Sequence, residues 1–208
     1  MKYKLIIFDL DGTLADTIPW FIGIINQLAG KHNLRSLTGD DYRAIRNLEA
    51  EGIFEYLRVP WEKIPMLEND LRELMKQDIG HISVFHGTHN LLRHLSKIGK
   101  TLAVVTSNSL GNAHQILGPE NAPLINFYDC GVSTFDKSKK LVEVMKKSGF
   151  SNTETIYIGD EVRDNKAAKN AHIAFGGVSW GYNTMELLKT HSPDELFTSV
   201  DEIAVIIT

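Results

Sequence analysis

The sequence has one cysteine, Cys130, in 208 residues. A single thiol excludes an intramolecular disulfide framework and a cysteine-rich zinc site. It lies in the apolar stretch 127–132, where it reads as a buried core thiol rather than a nucleophile. Long apolar runs are missing too. None approaches the roughly 18 residues of a membrane-spanning helix. Near the N-terminus, only Leu5 to Phe8 separate Lys4 from two aspartates, too short a run for a signal peptide, so the expected compartment is the cytoplasm. A strong excess of either charge is also absent. A net charge of −4 and a pI near 6.1 argue against nucleic acid or an anionic membrane as partner. There is no internal repeat, low-complexity tract or disordered linker. What remains, 43% hydrophobic and 23% charged, suits a soluble protein with a substantial core. The length fits one domain with a large insertion or two modest domains.

The stretch from Lys4 to Leu14, Lys-Leu-Ile-Ile-Phe-Asp-Leu-Asp-Gly-Thr-Leu, organises the rest. Leu5 to Phe8 reads as a buried strand. It stops at Asp9, Asp11 follows, and Asp11-Gly12 signals a turn. Carboxylates at the end of a buried strand cost several kcal/mol (about 3–5 for an unpaired buried charge) unless a cation or donors face them. The carboxyl ends of parallel strands are also where open α/β sheets bind ligands. A metal and phosphate site on the first strand is the simplest reading.

Helical spacing follows. Pro19 is an early helix position, with Trp20, Phe21, Ile24, Ile25 and Leu28 in register and an end near Gly30 to Asn33. Thr38 with Asp41 resembles a capping box for a helix through Ile45. Ala50 to Leu57 is a third helix. Pro60 opens a fourth, carrying Ile64, Leu67, Leu71, Leu74 and Met75. No strand signal interrupts residues 17–80. The aromatics Trp20, Phe21 and Tyr56 read as the core of this module. From residue 84 strands and helices alternate. Strands are expected at 101–105, 127–132, 155–158 and 173–178. Helices are expected at Leu91–Leu95, Ala113–Leu117, Ser138–Ser148 and Ala167–Ala171, with further helix starts at Ser192–Glu195 and Ser199–Glu202. The expected fold is α/β: a Rossmann-like parallel sheet core of about five strands flanked by helices, with an inserted all-helical domain. The core comprises residues 1–16 and 84–208 and the insertion 17–83, with hinges near Ala15–Ile18 and Gly80–Phe85.

Polar residues gather at three strand ends: Asp9 with Asp11, Thr106 to Asn108, and Asp160 with Asp164. Lys137 follows the third strand. Several carboxylates suit a hard divalent ion such as Mg²⁺. A hydroxyl, an ammonium and turn N–H groups suit phosphate oxygens. Together they suit phosphoryl transfer, where catalysis is mostly charge neutralisation and positioning. His81, His86, His89 and His94 lack the setting of a zinc-binding helix.

The ordered set Asp9-Leu10-Asp11-Gly12-Thr13, Thr106, a lysine, and Gly159-Asp160-Glu161-x-x-Asp164 resembles the haloacid dehalogenase superfamily of phosphotransferases. The helical insertion resembles that superfamily's C1 cap. Leu14-Ala15-Asp16-Thr17 and Ser179-Trp180-Gly181-Tyr182 resemble its phosphoglycolate phosphatase-like group. The resemblance implies a Mg²⁺-dependent phosphatase of a small phosphate ester, monomeric or homodimeric. It implies Asp9 as the nucleophile and Asp11 as general acid, then base. The implied phosphate-binding set is Leu10, Asp11, Thr106, Ser107, Asn108 and Lys137, with Arg46 of the insertion gripping an anionic group. The implied metal set is Asp9, Asp11, Asp160 and Asp164, the last holding Lys137 or a metal-bound water. Lys137, Lys139 and Lys140 all lie in the right region. Lys137 is chosen because it precedes the helix, while Lys139 and Lys140 are assigned to its solvated face. A phosphomutase of the same superfamily carries these motifs too, whereas the complete set argues against a catalytically silent binding protein, in which Asp9, Asp11 or Asp160 would be expected to erode. The dehalogenase branch has no use for an acid at Asp11.

Overall fold

Leu5, Ile6, Ile7 and Phe8 are all closed off from solvent, and the fold is built outward from them. The computed structural model describes residues 2–131 and 137–207. In chain order its strands are β1 (Leu5–Phe8), β2 (Ala15–Asp16), β3 (Ser83–Val84), β4 (Thr101–Val105), β5 (Phe127–Asp129), β6 (Thr155–Gly159), β7 (Ala174–Val178) and β8 (Glu195–Phe197). Its helices are α1 (Ile18–His32), α2 (Gly39–Ile45), α3 (Ala50–Leu57), α4 (Ile64–Asp78), α5 (Thr88–Lys97), α6 (Leu110–Asn121), α7 (Lys137–Ser148), α8 (Val162–Asn170), α9 (Met185–Thr190) and α10 (Val200–Ile207).

Among the described residues, six strands form one sheet in the order β5-β4-β1-β6-β7-β8, and every pairing is parallel. Side chains alternate across it, as strand geometry demands. Ile6, Phe8, Leu102, Val104, Ile156 and Ile158 share one apolar cluster with Leu92 of α5 and Ile203 of α10. Leu5, Ile7, Ala103, Val105 and Tyr157 share the other with Leu141 of α7 and Ala168 of α8. Burial on both faces explains why the strands read as continuous apolar runs. The chain runs outward from β1 to β4 and β5, then returns to β6 on the other side. The crevice beside β1 is therefore the topological switch point where such sheets bind ligands.

Helices α1 to α4 gather around a third cluster that includes Ile25, Leu28, Ile45, Leu57, Ile64 and Leu67. Thr38 and Asp41 form the expected capping box at α2. Where this helical segment leaves and rejoins the chain, β2 and β3 pair antiparallel, Ala15 opposite Val84 and Asp16 opposite Ser83. Two-residue strands carry too little pattern to be seen in a sequence.

The structure departs from expectation in the C-terminal third. The sheet has six strands rather than five, because Glu195–Phe197 is an edge strand and Ser192–Glu195 starts no helix. Asp194 decides this: its main-chain N–H donates to the Phe175 carbonyl (3.0 Å) and its Oδ2 accepts from the Phe175 N–H (2.9 Å). Helix α9 fills the gap before it, capped by the Thr184 hydroxyl. The third expected strand is shorter: β5 ends at Asp129, and Val132 lies outside the described residues. Cys130 is half-buried just beyond it, and burial pushes its thiol up to about 12, as befits an unreactive group.

Candidate active site

β1 delivers Asp9 into a site closed from water. The Asp9 N–H still donates to the Ile158 carbonyl (2.8 Å), so the ladder with β6 continues to the point where the carboxylate emerges. A tight turn follows, in which the Leu10 carbonyl accepts from the Leu14 and Ala15 amides at 2.9 and 2.8 Å. The Leu10 side chain is buried in the core. The turn swings Asp11 back toward the end of β4. There the Asn108 amide donates to both Asp11 oxygens at 3.2 Å, and the Thr106 hydroxyl donates to Oδ2 at 3.4 Å. Asn108 is itself held: its N–H donates to the Thr106 hydroxyl, and its Oδ1 accepts from Ser109 and Asn112.

Lys137, the first residue of α7, is 2% exposed and completes the group. Its Nζ lies 2.8 Å from Asp9 Oδ2, 2.8 Å from Asp164 Oδ1 and 3.2 Å from the Tyr157 hydroxyl. The structure thus brings Lys137 to the strand ends, whereas Lys139 is exposed and Lys140 pairs with Glu143 and Asp129. Tyr157 donates to Asp164 Oδ1 (3.0 Å), and the Glu161 N–H donates to Oδ2 (3.2 Å). Asp164 is therefore well supplied with donors and tethers the lysine.

Asp160, at the end of β6, accepts from the Thr13 hydroxyl at Oδ1 (2.9 Å) and from the Tyr182 N–H at Oδ2 (2.7 Å). Glycines make room for it. A Cβ on Gly12, whose φ is +78°, would meet Asp160 Oδ2 at 2.3 Å, and one on Gly181 would meet Asp160 Cβ at 2.1 Å. Only glycine lets the backbone approach this closely.

The electrostatics define the chemistry. Asp9, Asp160 and Asp164 are all buried, with an oxygen from each within 4.8 Å of the others. Burial pushes Asp9 up to about 7 despite Lys137, and pushes Asp160 well above the usual carboxylate range. Asp11 is raised, again by burial, against the pull of Asn108 and Lys137. Burial also acts on Asp164, but Lys137 and Arg163 outweigh it and hold that carboxyl below its ordinary value. The cations at hand thus leave Asp9 and Asp160 undercompensated. An all-oxygen set short of positive charge fits a hard divalent cation such as Mg²⁺.

Arg46 and Phe21 both line the edge of the site. Arg46 reaches the site's edge but is engaged: its Nε donates to the Tyr182 carbonyl (3.2 Å) and a terminal nitrogen to the Gly181 carbonyl (3.0 Å). Phe21 is only partly packed into the helical cluster. It meets the Tyr182 ring edge-on at 5.7 Å and lines a cavity facing Asp11. Sequence reasoning missed Tyr157, which looks like one more core aromatic, and Arg72 of α4, which donates to the Ser107 carbonyl (3.1 Å). Arg72 sits on a helix with many charged residues, and nothing in its spacing singles it out.

The haloacid dehalogenase-like hydrolase family model matches residues 6–178. The chain belongs to that family. It is 27% identical to a phosphoglycolate phosphatase of Synechococcus elongatus over 98% of this chain and 96% of that protein. It is 30% identical to a phosphoglycolate phosphatase of Vibrio vulnificus over 99% and 96%. The fold matches the crystal structure of a predicted phosphatase from Clostridium acetobutylicum with a TM-score of 0.83, at 23% identity, covering 100% of this chain and 99% of that one. Among the described residues, no helix is long and apolar enough to cross a membrane.

Proposed function

We propose that the protein is a Mg²⁺-dependent phosphatase of small organic phosphate monoesters, working through a phosphoryl group carried transiently on Asp9. The observation that most supports this is Lys137, buried and 2.8 Å from both Asp9 and Asp164, beside an Asp11 held by Thr106 and Asn108. A nucleophile, a cation and an acid thus meet at one strand-end crevice.

In this reading an Asp9 oxygen attacks phosphorus and the bond to the ester oxygen breaks. Asp11 gives its proton to the departing oxygen. Its raised pKa keeps the acid form available. Asp11 then takes a proton from water as that water attacks the same phosphorus, which frees Asp9 and releases phosphate. Splitting the displacement into two steps lowers each barrier. The Thr106 hydroxyl, the Ser107 N–H and the Lys137 ammonium stabilise the phosphoryl oxygens. Asp9, Asp160 and the Asp11 carbonyl would hold the Mg²⁺, which supplies further positive charge to those oxygens, while Asp164 holds Lys137 or a metal-bound water. Residues 17–83 act as a cap that excludes water and presents the selecting groups. The likeness to phosphoglycolate phosphatases makes phosphoglycolate the first natural ester to try.

The test is hydrolysis of p-nitrophenyl phosphate by wild type and Asp9→Asn, each with Mg²⁺ and with EDTA. Turnover by wild type with Mg²⁺ should fall by roughly a thousandfold or more in the variant, as for loss of a nucleophile, and should vanish with EDTA. Activity that survives Asp9→Asn would overturn the assignment.

A further inference from the structure

Between the strand ends and helices α1 to α4 lies a cavity of about 280 Å³ that opens onto Asp11, Ser107 and Asn108. Its far wall is apolar: Phe21, Ile25, Ile45, Phe54, Leu67 and Leu71. Three arginines line it, and all are anchored toward the core. Arg46 donates to the carbonyls of Gly181 and Tyr182, Arg72 to the carbonyl of Ser107, and Arg163 pairs with Glu161. The cations therefore sit near the end where the ester would react, and the space beyond them is bounded mostly by hydrocarbon, with Tyr42 and Glu68 the polar side chains on that side. An apolar cavity of about 150 Å³ is enough to hold benzene, so this one, after the phosphate takes the end at Asp11, Ser107 and Asn108, has room for a body of about six carbons. The two-carbon, carboxylate-bearing leaving group of phosphoglycolate would leave most of that wall without partner atoms and forgo its contact energy.

We infer that the preferred ligand is a phosphate monoester whose organic part is an apolar body that fills this cavity while its phosphate sits at Asp9. The inference rests on the phosphatase reading for the position of the phosphate. The apolar wall selects against small, highly charged esters, because a second carboxylate pushed past the arginines would lose its hydration without gaining a partner.

Calorimetric titration of the Mg²⁺-loaded protein with n-alkyl phosphonates, from ethyl to hexyl, tests this directly. The series is compared with 3-phosphonopropanoate, the carbon-for-oxygen analogue of phosphoglycolate. Affinity should rise about fourfold per added methylene. Ile22→Asp, which puts a charge at a solvent-edged position of the cavity lining (Ile22 is 40% exposed), should flatten that slope. Affinity that is constant along the series, or highest for 3-phosphonopropanoate, would overturn the inference. Hydrolysis of the matching alkyl phosphates separates the two levels. Asp9-dependent turnover with a flat binding series overturns the apolar-body inference alone. A steep series without turnover supports that inference and overturns the phosphatase reading.

Discussion

Replacing Lys137 with methionine should destabilise the fold in a pH-dependent way. The ammonium is 2% exposed and lies 2.8 Å from each of two buried carboxylates. Methionine fills similar space but leaves Asp9 and Asp164 facing each other with only the charge of Arg163 to offset them. Breaking a buried pair by removing one partner costs about 3–5 kcal/mol. For a chain of this size that corresponds to a drop in Tm of about 6–20 °C. The sign of the pH dependence follows from Asp164. In wild type its carboxyl is held below its unfolded value, so its contribution is present above that value and lost only in acid. Without Lys137, burial raises the same carboxyl, and the folded state then binds a proton that the unfolded state has released. Stability of the variant should therefore fall as pH rises from about 4, where unfolded aspartate titrates, through the raised folded value. Thermal denaturation of both proteins in EDTA should show a small deficit at acid pH and the full deficit at alkaline pH. A deficit below about 1 kcal/mol, or one equal at both pH values, would refute the buried triad as an energetic unit.

Two further outcomes follow from the same site. Burial raises Asp9 to about 7, so the metal-free protein should lose stability as pH rises from about 4 toward 7; Mg²⁺ should raise Tm strongly in alkaline buffer and little in acid, read by calorimetric scans. Gly181→Ala would drive a Cβ into Asp160, so it should cost about 1–3 kcal/mol of stability, as overpacking does, and weaken Mg²⁺ binding in titration; wild-type values for both would show that the loop yields without moving Asp160.

The central sheet was legible because its strands are buried on both faces. Thr101–Val105 carries an unbroken apolar run bounded by turn residues, and its limits coincide with β4. The helical segment was equally plain, since Thr38 and Asp41 cap it by a local rule that needs no tertiary context. What escaped was set by contacts between distant residues. Glu195–Phe197 is three residues long and is a strand only because Asp194 locks onto Phe175, 19 positions away. At the candidate site, Asp9, Asp11, Asp160 and Asp164 announced themselves as charges where a strand should end. Lys137 could be preferred over its neighbours from its position ahead of a helix. Tyr157 could not be found this way. Its ring belongs to the core beneath the sheet, and only its hydroxyl reaches Lys137 and Asp164. The cavity was illegible for a related reason: Phe21 and Ile25 have the spacing of core residues, and only the packing of α1 against α4 shows that part of their surface faces a void.

The claim on which everything turns is that Asp9 carries the phosphoryl group. Acid quenching of the protein during turnover of an accepted ester, followed by mass spectrometry of the peptide containing Asp9, tests it most directly. A peptide heavier by one phosphoryl group is expected, absent in Asp9→Asn and accumulating in Asp11→Asn when the ester is p-nitrophenyl phosphate, whose leaving group departs without the Asp11 proton while attack by water is slowed. Turnover with no phosphoryl adduct on Asp9, in wild type and in Asp11→Asn alike, would contradict it.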